Sequence, residues 1–142
     1  MIPESVAAAL LTVLIGVVVY VLGQVFSNLV IEPIHKQDEI RGEIADSLVF
    51  YADVYSNPKS STMEERERAS RDLRQKAALL TSRTYVIRGY RFLSWVGVVP
   101  RNEDVFSACR NLIALSNSVF AEVHPSETYQ WAEEIKRLLK LI

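Results

Sequence analysis

The chain has 142 residues, of which 49% are apolar and 23% charged, with a net charge of −1. That length suits a single domain, and the composition excludes a disordered chain. Its one cysteine, Cys109, excludes an internal disulfide and a cysteine-based zinc site.

Hydrophobicity is concentrated at the start, where the first 31 residues carry one charged side chain, Glu4. Ser5 to Gln24 is an uncharged stretch of 20 residues, which at 1.5 Å per residue spans roughly 30 Å, the thickness of a bilayer's hydrocarbon core. A buried core helix is rarely so long or so apolar on all sides in a small chain. A cleaved signal peptide normally has a basic n-region and a shorter apolar run, and neither feature is present. The sequence therefore predicts a tail and transmembrane helix in 1–32 and a separate domain in 33–142. Lys36 and Arg41 follow the span, whereas MIPE precedes it without Lys or Arg. By the positive-inside rule the expected location is the cell (inner) membrane, single-pass, with the N-terminus outside and 33–142 cytoplasmic.

Two series run along the span. Ala9, Gly16 and Gly23 recur every seven residues, the period of a left-handed seam where small residues let two backbones approach. Thr12, Tyr20, Gln24 and Asn28 form a polar face at i+4 spacing, with Gly16 in the same row. Polar groups at that depth seek another helix or water. A homo-oligomer is the expectation that follows.

Beyond Pro33 the pattern is helical throughout. Ile40, Ile44, Leu48, Tyr51 and Tyr55 give an apolar face to a helix over 33–56. A turn at 57–61 precedes Thr62-Met63-Glu64-Glu65, which fits a capping box. Ala69, Leu73, Ala77, Leu80, Thr84 and Ile87 continue the next face. The β-branched and aromatic stretch 84–99 has no strand to pair with, so a helix continuing through or restarting near Gly89 is expected. Asn102 is expected to cap a helix with Val105, Cys109, Leu112, Ser116 and Val119 inward. After His124-Pro125-Ser126, a last helix carries Trp131, Ala132, Ile135, Leu138, Leu139 and Ile142. The fold class is all-α, with a transmembrane helix followed by a cytoplasmic four-helix-type bundle.

Chemistry is sparse in this pattern. His35, Glu39, Asp46 and Asp53 share one side of the 33–56 helix. Di-metal bundles need a matching Glu-x-x-His on a second helix, and none occurs, so a solvated face is the better reading and no metal or cofactor is expected. Neither histidine sits in a nucleophile–base motif, no arginine has a histidine four to six residues later, and no glycine-rich phosphate loop exists. No catalytic residues are expected. The uneven charge lies at 83–101, where Arg83, Arg88, Arg91 and Arg101 alternate with aromatics and no acid intervenes. These arginines suit anionic lipid or single-stranded nucleic acid. The plainer reading is a core-facing aromatic set, its arginines paired with the acidic stretch 38–53. All 16 basic residues and 15 of the 17 acidic ones fall in 33–142, so there is no global field to attract nucleic acid.

The run IEPIHKQDEIRGEIADSLVFYADVYSNP, with VGVVP and RNLIALSNS further on, resembles small uncharacterised prokaryotic proteins with one N-terminal transmembrane helix and a helical cytoplasmic domain. By architecture alone the chain is also similar to membrane accessory proteins of prokaryotic immune systems, which place a helical domain beneath an oligomeric ring of membrane helices. The resemblance implies no activity. The functional expectation is a self-associating membrane protein, an oligomeric pore or effector, whose cytoplasmic domain senses a ligand or binds a cytoplasmic protein partner. A monomeric anchor or adaptor that recruits a partner is one alternative, and a membrane-tethered nuclease or hydrolase is another.

Overall fold

The computed structural model describes residues 3–121 and 123–141, and every element among them is helical. One uninterrupted run opens the fold. It begins as α1 (Glu4–Phe26), passes through a π turn (Ser27–Ile31) and continues as α2 (Glu32–Phe50). The π turn has a local cause. Pro33 has no N–H, and its ring crowds the carbonyl four residues back, that of Leu29. Widening the turn relieves the crowding, and the Glu32 N–H bonds to the Ser27 carbonyl five residues back.

The helix expected over 33–56 bends at Tyr51 (φ −97°, ψ 13°) and resumes as α3 (Ala52–Ser56). The Tyr55 hydroxyl donates to the Leu48 carbonyl at 2.7 Å. That bond fixes the bend and swings α3 against the last helix. Burial, reinforced by the charge of Glu133, pushes the Tyr55 hydroxyl up to about 12.

A 3₁₀ turn (Pro58–Ser60) leads to α4 (Met63–Val86), followed by α5 (Tyr90–Trp95), α6 (Asn102–Ser118) and α7 (Pro125–Leu138). The capping box forms as expected. The Glu65 N–H donates to Thr62 Oγ1 at 3.2 Å, and the Thr62 N–H donates to the Glu65 carboxylate at 2.8 Å. Those bonds hold the Glu65 carboxyl below its ordinary range. Gly89 adopts a left-handed conformation (φ 70°), which lets the chain turn after Ile87 and restart as α5. The start of α6 departs from expectation. Arg101 is the N-cap, without a side-chain bond, and its carbonyl accepts from Val105. The buried Val99-Pro100 pair leads into this extended Arg101, so Asn102 is the first helical residue instead of the cap. At α7 the His124 ring nitrogen Nδ1 accepts from the Ser126 N–H at 3.3 Å.

Packing follows from the apolar stripes. Ser47 meets Asp72 and Gln37 meets Thr84, so α2 and α4 are antiparallel. Cys109 meets Ala77 and Ser116 meets Arg74, so α4 and α6 are antiparallel as well. α7 returns along α6 and α3. Ile44, Leu73, Leu80, Leu112, Ile135 and Leu139 are completely sealed in one core. Ile142, expected on the apolar face of α7, lies outside the described residues. No side chain of α1 is buried.

Because the core lies wholly after Pro33, residues 33–142 expressed alone should melt cooperatively. In urea unfolding of that fragment, Ile44→Ala should cost about 2–5 kcal/mol through lost burial and a cavity. Val49→Ala, on the exposed side, should change stability by about 0.5 kcal/mol or less. Equal effects would contradict the assigned core face.

Candidate functional site

The end of the helical body from which α1 leaves carries the most distinctive chemistry. Gln37 lies on α2 one turn before Ile40 and is fully buried. Its Nε2 donates to Thr84 Oγ1 at 2.8 Å and to the Tyr90 hydroxyl at 3.1 Å. The Tyr90 hydroxyl in turn donates to the Pro100 carbonyl at 2.9 Å, and Thr84 donates to the Leu80 carbonyl at 2.8 Å. One amide therefore ties α2 to the last turn of α4, to α5 and to the strap before α6. Burial raises the Tyr90 hydroxyl above its ordinary range, so it stays protonated and can donate. Among the described residues, no group donates to Gln37 Oε1.

One turn further along α2, Arg41 makes the second tie. Its guanidinium donates to the Leu139 carbonyl at 2.9 Å through Nε and again through a terminal nitrogen. It also reaches the Lys140 carbonyl at 3.3 Å and pairs with Asp38 at 2.5 Å. The last carbonyls of a helix have no partner within it. A cation there also meets the negative end of the helix dipole. Arg41 thus closes α7 onto the base of the α1–α2 run.

The stretch 83–101 sits around these ties. The aromatic set does not face the core as a group. Tyr90 points inward, whereas Tyr85, Phe92 and Trp95 are 73%, 63% and 81% exposed. Their ring contacts are peripheral, Tyr85 with Phe106 and Phe92 with Trp95. Arg88, Arg91 and Arg101 are exposed and Arg83 is half-buried. Among the described residues Arg83, Arg88 and Arg91 make no ion pair, and Arg101 reaches only Glu103 at 3.6 Å. The expected pairing with the 38–53 carboxylates is replaced by the Asp38–Arg41 pair within α2.

The remaining candidates are placed as follows. Ala9, Gly16 and Gly23 are exposed along α1, and a Cβ added at either glycine meets nothing within 4 Å. Tyr20, Gln24 and Asn28 are exposed, and the Thr12 hydroxyl donates to the Ala8 carbonyl of its own helix at 2.9 Å. His35, Glu39 and Asp46 lie on the exposed side of α2, with Asp53 beyond the Tyr51 bend in α3. Cys109 is buried at 6% exposure beside Thr81 (3.3 Å), and burial raises its thiol above the ordinary range, which disfavours a thiolate.

No family model, curated protein or solved structure matches this chain.

The two ties should respond unequally to removal. Gln37→Leu leaves the donors of Thr84 and Tyr90 satisfied and removes an amide oxygen to which no group among the described residues donates. It should therefore cost about 1 kcal/mol or less. Arg41→Met leaves the α7 carbonyls unpaired and should cost about 1.5–3 kcal/mol. Chemical denaturation of both variants checks this, and a larger loss for Gln37→Leu than for Arg41→Met would contradict it.

Proposed function

We propose that the chain is a single-pass membrane protein that self-associates through α1 and holds a cytoplasmic four-helix-type bundle, formed by 33–142, directly beneath the bilayer. The observation carrying this reading is the α1–α2 run. It contains an 18-residue window of mean hydropathy 2.6 with no part buried, yet continues without a break into helix that is locked in the core. A helix that apolar finds a compatible solvent in lipid. The basic residues Lys36 and Arg41 just beyond it favour the cytoplasmic side for the bundle.

Self-association has a geometric argument as well. Gly23 and Gln37 stand two heptads apart, and in an unbroken α-helix they would point within roughly 40° of each other. The small-residue stripe would then face the same side as the bundle. The π turn lags about 18° per residue behind an α-helix, so its five residues (Ser27–Ile31) would rotate the stripe away, to roughly 130° from the core face. A second copy could then pack on Ala9, Gly16 and Gly23 without meeting its neighbour's bundle. Close packing of small residues is the main attraction available between helices in lipid. The bundle, carried by each copy, is the sensing or partner-binding part.

Gly16→Leu should dissociate the assembly in lipid, whereas Val18→Leu, off the stripe, should leave it intact. Subunit counting across a range of protein-to-lipid ratios reads this directly. A wild-type chain monomeric at every ratio would replace assembly with a monomeric anchor. For Gln24→Leu, ion flux and assembly together separate two roles of the polar face. Lost flux with intact assembly marks a water-filled axis. Weaker assembly, by about 1 kcal/mol or less, marks interhelical hydrogen bonding.

Orientation is tested separately. A reporter active only in the cytoplasm should work when fused at the C-terminus. Activity there of a reporter that requires export would contradict the orientation.

A further inference from the structure

We infer that residues 85–98 form a second membrane contact, an aromatic and arginine tip that seats in the anionic headgroup layer of the leaflet from which α1 emerges. The inference rests on the proposed span, and its argument comes from where the tip lies.

Since α4 is antiparallel to α2, its last turn advances toward α1. Thr84 is level with Gln37, and Gln37 lies six residues past Ile31, about 9 Å along the helix. Tyr85, Val86, the Gly89 turn and α5 follow Thr84 and close that same end of the body. The body reaches further still, because Val30, Pro33 and Ile34 on the α1–α2 run are half-buried whereas the apolar residues of α1 are exposed. Val30 belongs to the apolar run itself. The headgroup layer beyond the hydrocarbon is about 5–7 Å thick on each side, so the end of the body and the headgroups occupy the same level.

The composition of the tip fits that layer and is poorly suited to water. Phe92 and Trp95 are exposed, their rings in a tilted contact with centroids 6.0 Å apart, and Val96 and Val98 are 47% and 52% exposed. Tryptophan and tyrosine favour the membrane–water boundary, where an apolar ring and a polar edge are both accommodated. Arg88 and Arg91 are exposed and, among the described residues, unpaired. A guanidinium pairs two N–H groups with a phosphate, and each basic residue at an anionic surface strengthens binding roughly five-fold. The Gln37–Tyr90–Pro100 chain of hydrogen bonds holds the tip rigidly on the base of the rod. With α1 it gives the bundle two points of attachment and so fixes its tilt against the bilayer.

The test uses the full chain in phosphatidylcholine vesicles, with and without phosphatidylglycerol. Trp131→Phe leaves Trp95 as the only tryptophan. Its emission should shift to shorter wavelength and be quenched by lipids brominated near the headgroup, more strongly with phosphatidylglycerol present. Adding Arg88→Gln and Arg91→Gln should abolish the difference between the two lipid mixtures. A companion protein carrying Tyr20→Trp, Trp95→Phe and Trp131→Phe reports on the span itself through deeply brominated lipids. Quenching in the companion with Trp95 left in bulk water would overturn the tip contact while leaving the span standing. Absence of quenching in both proteins would overturn the span and the tip together. Shielding of Trp95 by a single-stranded oligonucleotide instead of by lipid would overturn the proposal in favour of a nucleic-acid surface.

Discussion

From Glu4 to Phe26 the chain presents Val, Leu and Ile on every side of a helix and covers none of them. Moving one such side chain out of water is worth about 1.5–3 kcal/mol when complete. Even with the helix already screening half of each, the uncovered surface represents more free energy than the roughly 5–15 kcal/mol that keeps a domain folded. A surrounding apolar medium must supply what the chain does not, and on the proposed reading that medium is the bilayer. The core is built without it, from faces on α2, α4, α6 and α7. The molecule therefore consists of two solubility problems joined by one continuous helix.

The join determines how either half can influence the other. A flexible linker would isolate the bundle from α1. Here the helix stays hydrogen-bonded across the join, and Pro33 is absorbed by a widened turn instead of a break. Just past it, Gln37 and Arg41 attach the rod to α4, α5 and the end of α7. On the proposed reading, a rotation or tilt of α1 would be carried to the three elements that meet there. A ligand or partner that shifts α7 or α5 would act on α1 through the same bonds. The Gln37 tie contributes direction more than stability, because its neighbours' donors are satisfied without it. Such buried polar groups specify one arrangement among several that apolar packing alone would tolerate.

Much of the body was legible because helix faces repeat every 3.6 residues. Ile40, Ile44 and Leu48, and Leu73, Ala77 and Leu80, are buried as their spacing implied. The Thr62–Glu65 cap was legible from its capping motif, whereas at Gly89 the sequence left a continuing and a restarting helix open, and the positive φ of Gly89 decides for the restart. Gln37 was missed, although it falls in the same stripe as Ile40 and Ile44; its polarity disguised a position that its spacing marked as interior. The bend at Tyr51 is accompanied by a side-chain bond from Tyr55 back to the Leu48 carbonyl, seven residues earlier, which the apolar spacing of the two residues does not announce. Pro33 signalled a disturbance but not that a π turn would absorb it. The direction of the 85–98 aromatics was not legible, because alternation on so short a helix leaves the buried side undefined until Tyr90 is anchored by Gln37.

On the proposed reading the α1–α2 run is one continuous helix that passes from lipid into the bundle. Single spin labels placed in turn from residue 10 to residue 50, in a Cys109→Ala background reconstituted in lipid, test this through their collisions with oxygen and with a water-soluble nickel reagent. Oxygen should dominate around Leu14 and Val18, nickel should dominate around Glu39 and Asp46, and a helical period should run through both regions with a single phase step at 27–31. Nickel access at Leu14 and Val18 equal to that at Asp46, or loss of the helical period across 27–33, would contradict that reading.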